Sequence, residues 1–240
     1  VDKTPVYCLY SSQMDKLFNE HFYPSFITFN KNNYNLHVFE TTVDGNGDYN
    51  TDGYIDCLHY KTRLMLQTTK QNLGRTIVWT DIDIKFFSSI DLTSYDKTFT
   101  VLKEDEDPYD TCVNPAFCKI KCNNTMVDFF EKLLVSCKNN NVHDMDVINN
   151  FANTIPSIEI DTFDFRYLQY TSLSFRNDVI QCNICSNNRG CYKCTHQLSN
   201  LDTIDTSKII LYHANCTPNT DRCSSMELKL EQLNYISKLI

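Results

Sequence analysis

Short apolar runs of about five residues alternate along this chain with longer stretches whose apolar positions recur every three or four residues. Strand-like segments interleaved with helix-like ones are how an α/β sheet reads in sequence. Residues 5–10 and 36–41 predict the first two strands, and residues 76–80 (Thr-Ile-Val-Trp-Thr) predict a buried strand of β-branched and aromatic residues. Further strands are expected over 98–102 and 208–213. A helix is expected over 55–69, where Leu58, Met65 and Leu66 supply part of an apolar face and Gly74 follows as a stop signal. The clearest helix covers 126–137: Met126, Phe129, Phe130, Leu133, Leu134 and Cys137 fall on one stripe. Thr125 with Asp128 resembles a capping box at its start. Another helix is expected to begin near Asp144, bury Val147, Ile148 and Phe151, and stop before Pro156. A terminal helix over 226–239 places Met226, Leu230, Leu233 and Ile236 on one side. Residues 44–53, with three glycines among Asp and Asn, read as a loop, and no internal repeat interrupts the order.

A length of 240 residues makes one α/β domain over 1–240 the default, with 177–199 as a cysteine-rich insertion within it. No stretch approaches the roughly 20 consecutive apolar residues that span a bilayer, and residues 1–10 lack the basic-then-apolar pattern of a secretory leader. The first residue is Val1 and not Met, which leaves room for an upstream anchor. A net charge of -8 argues against nucleic acid as a partner, because backbone binding needs clustered Lys and Arg. The same acidity leaves few cations to meet a phosphate, and a divalent metal ion is the natural substitute.

Twelve cysteines divide into a cluster and eight scattered positions. Cys182, Cys185, Cys191 and Cys194 form two Cys-x2-Cys knuckles whose spacing suits structural tetrahedral Zn2+, with paired disulfides or free thiols as alternatives. The even count and the sequons at Asn123 and Asn215 fit a disulfide-bonded protein of an oxidising lumen. The scattered cysteines, however, sit in apolar patterns where Cys acts as a small hydrophobe, which favours a reducing, cytoplasmic setting.

The chemistry centres on Trp79-Thr80-Asp81-Ile82-Asp83. A buried strand ends there and delivers two carboxylates at its C-terminal edge, where open α/β sheets bind ligands. Carboxylates so close repel each other unless a cation or a shared proton intervenes. Hard oxygen ligands suit Mn2+ or Mg2+, which bridge protein carboxylates to phosphate. The plainer alternative is a loop with solvated or helix-capping aspartates.

Residues 77–87 resemble the strand and DxD segment of the GT-A glycosyltransferases, which use nucleotide-diphospho-sugars. Three further pieces follow in that family's order. Val113-Asn114-Pro115-Ala116-Phe117 resembles its Asn-x-Gly-Phe segment, Asp144-Met145-Asp146-Val147-Ile148-Asn149 its Asp-Gln-Asp-x-Leu-Asn segment, and Tyr212-His213-Ala214-Asn215 its late His-Ala-Asn. The resemblance implies a Rossmann-like domain with a mixed, mostly parallel sheet flanked by helices. It implies that Asp81, Asp83 and His213 hold Mn2+ or Mg2+ and that Asp144 and Asn114 lie near the anomeric carbon. Donor contacts would come from Val6, Tyr7, Cys8 and Tyr10 on the first strand, from Lys61, Trp79 and Thr80, and from Asn215. The implied partners are a nucleotide-sugar, with UDP commonest in the family, and a glycan or glycoprotein acceptor. Relatives occur in the Golgi and in large DNA viruses, so a virus-encoded enzyme fits the cytoplasmic reading. Met145 stands where the family has Gln, Ala116 where it has Gly, and no Gly-then-Lys follows His213 beyond Asn219 and Arg222 or Lys229. Asp144 resembles the acid of retaining members, which favours retention. Two other classes compete: a haloacid-dehalogenase-like phosphatase, against which Lys85 stands where Thr is expected, and a non-catalytic binding module stapled by zinc at the cysteine cluster.

Overall fold

The computed structural model describes residues 2–43, 52–103, 113–140, 143–152, 158–164, 166–171, 206–215 and 224–240. Its central sheet has the order β2 (Tyr34–Thr41), β1 (Thr4–Ser11), β3 (Thr76–Thr80), β6 (Val113–Lys121), β5 (Phe99–Lys103), β7 (Ile160–Thr162). β1 runs parallel to β2 and β3, β5 runs parallel to β7, and β6 is antiparallel to both its neighbours. A second sheet, in the order β4 (Ile84–Phe86), β9 (Leu211–Asn215), β8 (Tyr167–Thr171), begins immediately beyond β3. The helices are α1 (Tyr23–Phe29), α2 (Asp52–Gln71), α3 (Asn124–Asn140), α4 (Asp144–Ala152) and α5 (Ser225–Leu239).

β3 is apolar on both sides because both faces of the sheet are covered. Ile77 and Trp79 pack with Met65, Met126 and Phe130 of α2 and α3, whereas Val78 faces Phe22, Phe26 and Phe117 in a second cluster. Three buried threonines of α2 satisfy their hydroxyls within the helix: Thr62 donates to Leu58 O at 2.9 Å, Thr68 to Leu64 O at 2.9 Å, and Thr69 to Met65 O at 2.8 Å. Gly74 turns the chain out of this region with φ 82, and its N donates to Cys122 O at 2.8 Å. Cys8, Cys118, Cys122 and Cys137 are buried free thiols that pack as small hydrophobes.

The expected elements are present, with shifted ends. Residues 206–208 form a 3-10 turn, so the late strand starts at Leu211 and not at 208. The side-chain cap of α3 is Asn123, whose Oδ1 accepts from Met126 N at 2.8 Å, in place of Thr125. A true capping box starts α5, where Ser224 and Glu227 exchange side-chain and backbone hydrogen bonds. The helical segment before β2 is not legible in the sequence, because Leu17–Phe22 is π-helical and stretches the interval from the buried Leu17 to the buried Phe22 beyond the α-helical period. Phe151 and the cysteine cluster lie outside the side chains described.

His21 of that π-helical turn is 3% exposed, and both its ring nitrogens are buried without a partner. Burial, reinforced by Lys85 and opposed by Glu20, pushes its pKa down from 6.5 to about 4. A histidine that stays neutral in the fold but protonates in the unfolded chain stabilises fully above the unfolded value. That stability is lost as pH falls from 6.5 toward 4. Chemical denaturation of His21→Leu against wild type should show the variant gaining on the parent by about 1–2 kcal/mol between neutral pH and about pH 5.

Candidate active site

The Asp-Ile-Asp segment is the seam between the two sheets. Asp81 N donates to Ala116 O of β6 at 2.6 Å, and Ala214 N of β9 donates to Asp83 O at 2.9 Å. Ile82, only 2% exposed, turns into the core, so strand-like alternation sends the flanking carboxylates to the opposite side. β9 runs antiparallel to β4 with His213 opposite Ile84, which brings the imidazole to the same place. His213 Nε2 lies 3.3 Å from Asp83 Oδ1, and ligand atoms of Asp81, Asp83 and His213 all fall within 4.8 Å of one another.

Two lysines enter this cluster from opposite helices. Lys61 of α2 places Nζ 2.9 Å from Asp81 Oδ1, 3.0 Å from Asp81 Oδ2 and 3.9 Å from Asp144 Oδ2. Lys229 of α5 donates to Asp83 Oδ2. Lys61, Asp83, Asp144, His213 and Lys229 are all buried. Burial pushes the Asp83 carboxyl up, but Lys229 and His213 outweigh it and hold the group far below the usual carboxylate range. Asp81 is raised by burial, with Lys61 opposing and Asp83 adding to the rise. Burial works against the charge on Lys61, yet Asp81 and Asp144 hold its ammonium above the ordinary lysine value.

The cluster lines a cleft together with Asn114 and Asp144. Asn114 Oδ1 accepts from Ala116 N at 2.9 Å, which fixes its amide on β6. Asp144 opens α4; its Oδ1 accepts from Met145 N at 2.9 Å, while its Oδ2 is buried without a hydrogen bond. Asp83 Oδ1 is likewise buried without a formed hydrogen bond and faces the imidazole. Two carboxylates and one imidazole at these separations, with an orphaned acceptor among them, fit a hard divalent cation such as Mn2+ or Mg2+.

Lys61, Asp81, Asp83, Asn114, Asp144 and His213, singled out from sequence, therefore meet at one cleft. The first strand contributes Leu9 and Ser11 to it. Val6, Tyr7 and Cys8 pack in the core, and Tyr7 Oη accepts from Asn72 Nδ2 at 3.0 Å. Tyr10 turns its hydroxyl to Asp15 and its ring to Phe18. Trp79 and Thr80 are fully buried beneath the site. Asn215 ends β9, but its side chain, like Cys182, Cys185, Cys191 and Cys194, lies outside what is described. Lys229 was only one of several stand-ins in the sequence. The available signal was a lysine inside the buried stripe of an amphipathic helix, between Leu228 and the buried Gln232 and Leu233.

No family model matches the sequence, and no curated protein matches it. Solved structures match its fold. A glycosyltransferase involved in the glycosylation of the major capsid of PBCV-1 is 10% identical, with 97% of this chain and 100% of that one covered at a TM-score of 0.55. The apo-form glycosyltransferase GlyE of Streptococcus pneumoniae TIGR4 is 10% identical at a TM-score of 0.57, and this chain spans all of its own length but 63% of that one. Mouse xyloside xylosyltransferase 1 is 9% identical, with 91% and 100% covered at 0.53. The fold is thus that of the GT-A glycosyltransferases, a Rossmann-like α/β domain with a mixed, mostly parallel sheet. No described helix is long and apolar enough to cross a membrane.

Removing one member of a buried ion pair strands the other charge. Lys229→Met should lower unfolding free energy by about 3 kcal/mol in denaturant titrations, and Asp83→Asn in the same chain should restore most of the loss.

Proposed function

We propose that this chain is a metal-dependent glycosyltransferase that moves a sugar from a nucleoside-diphosphate donor to an acceptor hydroxyl. The observation that carries the proposal is the convergence of Asp81, Asp83 and His213 with Lys61 and Lys229 at the C-terminal edge of β3. In the reaction the bond from the anomeric carbon to the diphosphate breaks with its electron pair going to the phosphate oxygen, a bond to the acceptor oxygen forms, and the hydroxyl proton passes to the departing diphosphate or to solvent. A divalent metal bound there would supply Lewis-acid stabilisation of the departing diphosphate. Asp81, Asp83 and His213 would hold that ion, and Lys229, which donates to Asp83, would pass to a phosphate oxygen. Such fixed charges favour the transition state because negative charge grows on the phosphate as the glycosidic bond lengthens. Lys61 and Asp144 orient the sugar, with Asn114 opposite on β6.

Residues 1–240 are read as one catalytic unit, with UDP as the donor nucleotide and retention of anomeric configuration, both on the family resemblance. Buried thiols at Cys8, Cys118, Cys122 and Cys137 support a reducing, cytoplasmic setting. The PBCV-1 neighbour acts in capsid glycosylation, and a glycoprotein acceptor, in a virus-encoded setting, is the matching proposal here. Structural zinc remains the reading of the cysteine cluster. The likeness in fold is to glycosyltransferases, which favours transfer over phosphoester hydrolysis.

A ligand held a hundredfold above its dissociation constant stabilises the fold by about 2.7 kcal/mol. A nucleoside diphosphate with Mn2+ should therefore raise the melting temperature by about 5 °C or more. Asp83→Ala should abolish the metal-dependent part of that rise. Phosphate release from a generic ester, with no nucleotide effect under any metal, would reverse the assignment in favour of a phosphatase.

A further inference from the structure

Both carboxylates of the Asp-Ile-Asp segment already carry a lysine. Lys61 Nζ reaches both oxygens of Asp81, at 2.9 and 3.0 Å, and Lys229 donates to Asp83 Oδ2. Asp144, the third carboxylate of the cleft, lies 3.9 Å from the same Lys61 ammonium. Lys61, Lys229, Asp83 and Asp144 are each no more than 6% exposed, so water screens these pairs poorly.

The charges can be counted. Three carboxylates against two ammoniums leave the cluster with a single negative charge when His213 is neutral, the form in which an imidazole binds a metal. A divalent cation added alone to Asp81, Asp83 and His213 turns that into a single positive charge, held away from water. It also stands close to an ammonium, since Lys229 holds one oxygen of the carboxylate whose other oxygen, Oδ1, faces the imidazole. A cation that arrives with a nucleoside diphosphate meets neither penalty, because the phosphate oxygens carry the opposite charge. They also give Lys229 an acceptor beyond Asp83. Leu233, one turn further along α5, packs with Tyr212 and Ala214 of β9, so the helix is anchored and the flexible four-carbon stem of Lys229 makes the exchange.

We propose that Lys229 keeps a free divalent cation out of the Asp81, Asp83 and His213 group and admits it together with a diphosphate, so that metal and nucleotide bind with positive coupling. The proposal rests on the donor-site reading above. Lys229 is a positioning residue in this role, because it acts on the cation through Asp83. Coupling of this kind is reciprocal and amounts to roughly 10- to 100-fold.

The test is a titration with Mn2+ alone, following the free ion by its paramagnetic resonance signal, and then with Mn2+ and UDP or whichever nucleoside diphosphate binds. Lys229→Met should bind Mn2+ alone roughly 10- to 100-fold more tightly than wild type, and should bind the nucleoside diphosphate with Mn2+ more weakly. A merely structural role moves both affinities in the same direction. Lys229→Arg keeps the charge and should leave the affinity for Mn2+ alone near that of wild type. Should Lys229→Met not fold, Lys229→Gln, which keeps a donor to Asp83 without the charge, is read against the same outcomes. Lys238→Met removes an exposed charge from the same helix and should change neither affinity. If the Lys229 variants fail to tighten Mn2+ alone, or Lys238→Met tightens it equally, the coupling proposal falls and the donor site stands. If wild type binds no nucleoside diphosphate with any metal, both fall.

Discussion

Charge held away from water is the constraint around which the rest of the molecule is arranged. Asp83 and Asp144 are nearly inaccessible, Asp81 is partly so, and all three converge on one cleft. Without compensation this arrangement would be prohibitively unfavourable. Compensation comes from far apart in the chain: Lys61 from α2, Lys229 from α5 and His213 from β9. Each arrives on a rigid element whose apolar face is anchored in a core cluster, so the hydrophobic packing determines where the charges stand. The overall acidity of the chain is misleading about this spot. Composition suggests that positive charge is scarce, yet two of the chain's lysines are buried side by side with the aspartates.

How much of this was visible beforehand depends on whether a feature is local. The strand 76–80, the stripe from Met126 to Cys137 and the stop at Gly74 are set by periodicity and backbone preference within a few residues, and they were readable. The Asp-Ile-Asp motif was readable for the same reason, since a buried strand followed by spaced acids is a local pattern. The π-helical turn at Leu17–Phe22 defeated that kind of reading because it changes the period on which the reading relies. Lys229 defeated it differently. Its importance lies in a partner 146 residues away, and its place beside Leu228 in the buried stripe of the helix signals burial without saying what it pairs with. The first strand shows the limit of assigning a whole segment to a site. Alternation divides it, so that Leu9 and Ser11 reach the cleft while Val6 and Cys8 serve the core.

About a tenth of the residues coincide with those of the solved structures that share this fold. What the fold requires is a pattern of burial and a crossing between sheets, and many apolar side chains meet the first requirement equally well. Of the departures from the family resemblance, Met145 lines the cleft, whereas Ala116 is buried in the core. Met145 puts a thioether in the lining of the cleft where the resembling segment has Gln.

The seam formed by residues 81–83 also has a mechanical meaning. Main-chain bonds fasten one end of it to the large sheet through Ala116 and the other to the small sheet through Ala214. Sliding of one sheet against the other would strain these three consecutive residues, two of which carry the carboxylates. An ion gripped at that point would act as a rivet through both sheets, and the stiffness of the whole assembly would rise and fall with its occupancy.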